Sequence, residues 1–160
     1  MLIREIPALE TYELRHSVLR PGFPRSSVHY EQDLWEGTFH LGVELEDKII
    51  SVGSFYKMPK MDPYILSLMD PSHLENEPHY QDTIYQLRGM ATLPGYRNIG
   101  AGSLLLNTAK KILMARGATL IWCNARKAAF PFYHRMGFKE VGDFFNTYTV
   151  PHKVMYKRFR

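Results

Sequence analysis

The chain has a single cysteine, Cys123, so it forms neither an internal disulfide nor a multi-cysteine zinc site, and a reducing, cytoplasmic setting fits it best. No apolar run approaches the roughly 18 residues that span a bilayer, and the first ten residues already carry Arg4, Glu5 and Glu10. Neither a transmembrane helix nor a signal peptide is expected, and no membrane partner. The histidines are scattered: His40, His73, His79 and His134 share no metal-ligand spacing, so no metal is expected. There is no internal repeat, no low-complexity stretch and no linker.

What is present is ordinary globular composition. Over 160 residues, 45% are hydrophobic and 22% charged, enough to bury a core and too apolar for a disordered chain. One domain over residues 1–160 is the expectation. The net charge of +4 conceals an asymmetry, since residues 1–80 carry −6 and residues 81–160 carry +10. The second half therefore favours an anionic partner, which by charge alone is nucleic acid, a phosphorylated small molecule or an acidic protein surface. Its basic residues are spread from Arg88 to Arg135, with no finger spacing or RNA-binding aromatic motif beside them, so nucleic acid is not expected.

Periodicity gives the order of elements. LIREI reads as a short strand, LETYELRHSVLR as a helix, and RPGFPRSSVHYEQD as a long loop or interrupted helical segment ending near Trp35. Phe39, Leu41, Val43 and Leu45 alternate with polar or small residues, a turn falls at Glu46-Asp47-Lys48, and IISVGSFYKM resumes the pattern, which predicts an antiparallel hairpin. The stretch from Met61 to Asp82, broken by Pro63, Pro71 and Pro78, reads as a surface excursion. IYQLRGMATL is a strand stopped by Pro94. From Gly102 a helix places Leu105, Ala109, Ile112 and Leu113 on one face and ends at Gly117. ATLIWCNA is a strand, KAAFPFYHRMGF a short helix closed by Gly137, and the remainder two strands separated around Pro151.

The junction Pro94-Gly95-Tyr96-Arg97-Asn98-Ile99-Gly100-Ala101-Gly102-Ser103 joins a buried strand to an amphipathic helix. Its glycines permit close backbone approach, and a helix start offers free N–H groups and the positive end of a dipole, which together make a phosphate cradle. It lacks the Gly-Lys-Ser/Thr ending of a nucleotide-hydrolysing loop and the spacing of a dinucleotide fingerprint. Glycines that only let helix and strand pack closely explain the loop nearly as well.

Arg97-x-x-Gly100-x-Gly102, after a strand ending MATLP, resembles the pyrophosphate-binding signature of the GNAT family of N-acetyltransferases. NARKAAFPFYHRMGF, residues 124–138, resembles the same family's segment in which a strand is followed by a helix with a tyrosine and a closing Gly-Phe pair. The two motifs stand in the family's order, and the element order agrees over essentially the whole chain. The resemblance implies an α/β fold with a mixed, mostly antiparallel sheet flanked by helices, splayed between strands 4 and 5 where acetyl-CoA inserts. It also implies direct transfer of the acetyl group, in a ternary complex, to a primary amine of a small molecule or peptide.

Residue by residue, it implies that Arg97, Asn98, Ile99, Gly100, Ala101, Gly102 and Ser103 bind the pyrophosphate. Met90, Ala91 and Thr92 would line the pantetheine arm by backbone, with an N–H at the thioester carbonyl. Asn124 would bond the pantetheine, and Tyr133 would act as general acid toward the leaving thiolate, a moderate leaving group at a thiol pKa near 8.5. The chain departs from the family pattern at Arg126, where many relatives have asparagine seven residues before the tyrosine, and at Asn98 in place of a frequent glycine. Gln86 falls where histone-type relatives keep a glutamate base, so the acceptor is expected to arrive as the free amine or to lose its proton through water.

The acceptor side is read from fewer signals. Arg88 alternates with Gln86, Met90 and Thr92 on one strand face, which leaves two readings open: contact with a substrate carboxylate, or a salt bridge to one of the acids of the first half. His29, Glu31 and His152 are candidate bases only because their segments border the acceptor site in the family, and each reads more readily as a solvated loop residue. Cys123 reads as a small buried hydrophobe rather than a nucleophile. Phe130, Phe132, Phe138, Phe144 and Phe145 read as core and cleft wall. Two alternatives stand beside the enzyme: a catalytically silent acetyl-CoA-binding or interaction module of the same fold, and a basic nucleic-acid binder. A homodimer is the commonest assembly to expect.

Overall fold

A computed structural model describes residues 1–59, 63–68 and 83–159. Seven strands form one sheet: β1 (Leu2–Ile6), β2 (Phe39–Leu45), β3 (Lys48–Lys57), β4 (Ile84–Thr92), β5 (Leu120–Arg126), β6 (Lys139–Thr147) and β7 (Val150–Arg158), in the order β1-β2-β3-β4-β5-β7-β6. Neighbours run antiparallel except β4 and β5, the mixed sheet that the family resemblance implies. The helices are α1 (Tyr12–Leu14), α2 (Pro63–Leu68), α3 (Ala101–Ala115) and α4 (Phe130–Arg135). α1 follows one tight turn at Ala8–Thr11 and widens into a π-helical segment, Arg15–Leu19. By internal contacts the chain forms two compact units, Met1–Lys57 with Leu87–Leu113, and Met58–Gln86 with Met114–Arg160.

In the first unit the β2–β3 hairpin closes at Glu46 and Asp47, whose φ values of 52 and 61 are those of a tight primed turn. Ile6, Leu14, Val52 and Ala91 pack together with Val18, Leu19, Ile49 and Leu93. α3 buries Ala101, Leu105, Ala109 and Leu113, one residue per turn, with Leu106 beside them. Ile112, expected on that face, is only half-buried.

In the second unit β4 and β5 pair at Ile84–Leu120, Tyr85–Ile121 and Gln86–Trp122, and among the described residues the ladder extends no further. Ile84, Leu120, Trp122, Val154 and Tyr156 form its core, with Met58, Leu68, Val141 and Phe145 packed around them. Two expectations are corrected here. Part of the proline-broken excursion is the helix α2, while His73 and His79 lie outside the described residues. The break between the last strands is not at Pro151, which lies in β7 opposite Asn146, but at Tyr148 and Thr149, with φ 51 and 63. Pro151 is tolerated because the β5–β7 ladder begins one residue later, at His152, so no missing N–H interrupts it.

A buried polar cluster ties the first unit together. Arg15 is fully buried and donates to Asp33 through Nη1 (2.8 Å) and Nη2 (3.0 Å), to the Val28 carbonyl (2.9 Å), to Ser54 Oγ (2.7 Å) and to the Tyr56 hydroxyl (3.0 Å). The Tyr56 hydroxyl donates in turn to Asp33 Oδ1 (2.6 Å), and His40 Nδ1 meets Ser54 Oγ at 2.6 Å. Burial pushes the Asp33 carboxyl up, but the hydrogen bonds from Arg15 and Tyr56 and the Arg15 charge outweigh it and hold the group below the usual carboxylate range. Burial, reinforced by Arg15 and only partly opposed by Asp33, lowers the pKa of His40. His40 therefore stands 3.8 Å from Asp33 as a neutral ring rather than a full ion-pair partner.

Beside this cluster β4 is bulged. A Cβ on Gly53 would stand 2.9 Å from Leu105 Cδ2 and 3.6 Å from Leu87 Cδ1, so Leu87 faces α3. Gly89, two residues on, has φ +64, and a Cβ there would meet Arg15 Nε at 3.0 Å and Tyr30 Cε2 at 3.1 Å, on the opposite face. Ala91 follows on that second face with Leu14. Thr92 Oγ1 meets Ser51 Oγ at 2.9 Å, back on the α3 face. The alternation that would put Arg88 with Met90 and Thr92 is thereby broken: the left-handed residue inserts one position, and Arg88 stacks on Tyr30 instead.

Gly89→Ala combines a left-handed side chain with contact near 3 Å on two packed groups and is expected to cost about 1–3 kcal/mol. Gly100→Ala, with φ +89 and nothing within 4 Å of its Cβ, carries the backbone strain alone. Urea denaturation should show Gly89→Ala as the more destabilised. Asp33→Asn leaves Arg15 buried without its counter-charge and should cost about 3–5 kcal/mol in the same assay. The lowered pKa of His40 means that the unfolded chain protonates first as pH falls below about 6.5, so stability declines from there downward. Asp33, being depressed, adds its own loss only as pH falls below about 4. The melting temperature should drop between pH 7 and pH 5, and His40→Asn, which keeps a polar group toward Ser54, should flatten that drop.

Candidate active site

The loop between β4 and α3 is built from alternating left-handed positions, Gly95 (φ 89), Asn98 (φ 63) and Gly100 (φ 89). Asparagine takes the dihedral that the sequence led us to expect of it at 98. The Tyr96 N–H donates to the Leu93 carbonyl at 3.0 Å, and the Leu104 N–H to the Gly100 carbonyl at 2.9 Å, which closes the first turn of α3 and makes Gly100 its N-cap. The amides of Ala101, Gly102 and Ser103 belong to that first turn and have no partner within the helix. Residues 97–100 are exposed, and a Cβ at Gly95 or Gly100 would meet nothing within 4 Å. Arg97 Nε donates to the Thr92 carbonyl at 3.4 Å, tying the loop back to the strand end. An exposed run of amides beside an arginine fits a pyrophosphate.

Upstream on β4, Ala91 is buried in the core, so only its backbone is available to a ligand, while Met90 and Thr92 are half-buried. Arg88 is also half-buried. Its guanidinium lies 3.8 Å from the centroid of the Tyr30 ring and donates from Nη1 to Gln32 Oε1 at 2.8 Å. Arg15 lies 4.1 Å from the same centroid. Of the two readings open in the sequence, the salt bridge is not formed: among the described residues no carboxylate pairs with Arg88. His29 is exposed and stacks on Tyr12 at 4.4 Å, and Glu31 is exposed.

In the second unit Asn124 is an exposed residue of β5, opposite Val154. Tyr133 is buried on α4, its ring 5.2 Å from that of Phe132 and 5.3 Å from that of Phe138. The phenol and the Cys123 thiol share a hydrogen bond. Burial first, then the neighbouring Cys123, lifts the phenol well above its ordinary value, and burial pushes the thiol up to about 12. Both stay protonated near neutral pH, which suits a proton donor at Tyr133 and makes Cys123 a poor nucleophile. His152 departs from the loop reading: it is buried in β7, with Nδ1 2.8 Å from the Val150 carbonyl and its ring 5.8 Å from Phe145. Gln86 is buried on β4. Phe130 and Phe138 are core, whereas Phe144 is half exposed, with Lys153 and Lys127 over its ring at 4.7 and 5.6 Å. Among the described residues no three His, Cys, Asp or Glu converge on a metal-sized point, and no helix is long and apolar enough to cross a membrane.

Sequence reasoning missed Arg15, Tyr30, Gln32 and Asp33, and also Gly89. A lone glycine inside a strand was the available signal for the last of these. The others are joined to their partners across long stretches of chain and leave no local pattern.

Residues 8–138 match the sequence signature of the Acetyltransferase (GNAT) family. The chain is 37% identical over 159 residues to the uncharacterized N-acetyltransferase YitI of Bacillus subtilis, covering 99% of this chain and 96% of that one. Among solved structures, Escherichia coli ElaA superposes with a TM-score of 0.73 at 13% identity over 99% of this chain and all of that one. Arabidopsis thaliana NAA60, solved in complex with acetyl-CoA, superposes with a TM-score of 0.71 at 11% identity over 99% and 98%. With the matched segment running from the first helical turn through the Gly137-Phe138 pair, the chain belongs to the GNAT family and is an acyl-CoA-dependent N-acyltransferase.

Proposed function

We propose that residues 1–160 act as one acetyltransferase domain that passes the acetyl group of acetyl-CoA directly to a primary amine in a ternary complex. The observation that carries this reading is the exposed left-handed loop Gly95–Gly100 leading into the first-turn amides of α3, with Arg97 beside it. In this reading the amides from Ile99 to Ser103 and Arg97 hold the pyrophosphate, and Asn98 sets the backbone there. Met90, Ala91 and Thr92 present backbone to the pantetheine, and the Met90 N–H faces the thioester carbonyl, where fixed donors favour developing negative charge. Acetyl-CoA, when bound, supplies an activated acyl group with a thiolate leaving group.

Tyr133 protonates that thiolate. Its phenol is held neutral by burial and by the neighbouring Cys123. Asn124, exposed on β5, bonds the pantetheine amides in this reading. Gln86 is no base, so the amine reacts in its free form or loses its proton through water. His29 and Glu31 are solvated groups open to such a relay, and His152 is less suited, being buried and bonded at Nδ1. A cytoplasmic location and a homodimer complete the reading, the second resting only on two-fold dimers being the commonest assembly.

Thiol release from acetyl-CoA against a panel of amines tests the reaction. Tyr133→Phe should lower amine-dependent release about 100-fold or more. Calorimetric affinity for acetyl-CoA should stay within a few-fold of the parent. Acetyl-CoA binding without release for any amine would favour the silent binding module, and no binding at all would overturn the loop assignment.

A further inference from the structure

We propose that the amine acceptor carries a carboxylate and that Arg88 is the residue that reads it. The inference rests on the acetyl-transfer reading above and concerns the acceptor side of the same site. Arg88 sits on β4 two residues before Met90; Gly89 between them turns the Arg88 side chain onto Tyr30, but the Met90 N–H is a backbone group at most roughly 7 Å along the strand, so one small molecule reaches both it and the guanidinium. The face of its guanidinium is occupied by the Tyr30 ring at 3.8 Å, and one N–H is used by Gln32 Oε1 at 2.8 Å. A guanidinium has five N–H donors in a planar fork, so most of the fork remains for a ligand.

The charge is also left uncompensated by design of the surroundings. Asp33, adjacent to Gln32 in the chain, is held by Arg15, which takes both carboxylate oxygens, and by the Tyr56 hydroxyl on Oδ1. Glu31, on the other side of Gln32, is exposed, and among the described residues it makes no ion pair with Arg88. The group that orients Arg88 is a neutral amide. A half-buried cation without a counter-charge is unfavourable, and a carboxylate arriving with the substrate removes that cost through charge-assisted, two-pronged bonds. Tyr30 is a positioning residue here, clamped between Arg15, Arg88 and the missing side chain of Gly89.

The test measures thiol release with glycine, β-alanine, 4-aminobutyrate, 6-aminohexanoate, L-phenylalanine and L-glutamate, each beside its carboxamide, in the parent, Arg88→Lys and Arg88→Gln. Acids should exceed their amides in kcat/KM by about 10- to 100-fold at the length that fits. Arg88→Gln should bring that ratio close to one, mainly through KM and with unchanged acetyl-CoA affinity, and Arg88→Lys, which keeps the charge and loses the fork, should fall between. Equal rates for acid and amide throughout, or an acid preference that survives in Arg88→Gln, overturns the proposal. Binding of the N-acetylated acids and amides to coenzyme A-loaded protein separates the two readings. Arg88-dependent discrimination there with no amine acetylated counts against the transfer reaction and supports the carboxylate subsite, while no discrimination in either assay overturns the subsite.

Discussion

The buried pair of Arg15 and Asp33 is the constraint on which the first unit depends. A guanidinium removed from water must have most of its donors answered, and here both Nη groups are answered by three separate stretches of chain: the Val28 carbonyl, Asp33, and Ser54 and Tyr56 of β3. His40 of β2 joins through Ser54. The irregular segment from Pro21 to Leu34 has little apolar content of its own to fix it, and this cluster is what gives it one conformation. The same cluster sets the limit on β4. Tyr30 and Arg15 stand so close to position 89 that only a glycine fits, and the left-handed dihedral that glycine permits turns the strand there.

The Arg15–Asp33 pair also works through what it withholds. By occupying the nearest carboxylate it keeps that carboxylate from Arg88, which is left with an aromatic face and an amide. Electrostatics in the second unit run the other way. There burial keeps Tyr133 and Cys123 neutral, so the proposed donor proton is retained without any charged neighbour.

Much of the fold was legible because its signals are local. The alternation of Phe39, Leu41, Val43 and Leu45, the proline after β4 and the spacing of Leu105, Ala109 and Leu113 each report one element, and the elements formed where expected. The conformation of the loop from Gly95 to Gly100 was legible for the same reason, since its left-handed positions fall on glycine and asparagine. The second hairpin was misplaced because Tyr148 and Thr149 adopt left-handed dihedrals without the residues that normally announce them. Arg15 was invisible because its side-chain partners lie 18 to 41 residues away, and an arginine in a short helix has the same local appearance whether solvated or buried. Arg88 carried two open readings, and its face was misjudged for want of the bulge.

Gly53 of β3 leaves no room between that strand and α3: Leu105 occupies the space where a side chain would be. The helix is thus seated on the sheet by direct contact rather than through an adjustable layer of side chains, and its first turn inherits that rigidity. In the proposed enzyme the donor is recognised by main-chain atoms in a fixed frame, which tolerate drift in the residues around them. The acceptor is recognised by exchangeable side chains on the opposite face of β4. Such a division lets selection change what is acetylated without disturbing how the acetyl group is delivered.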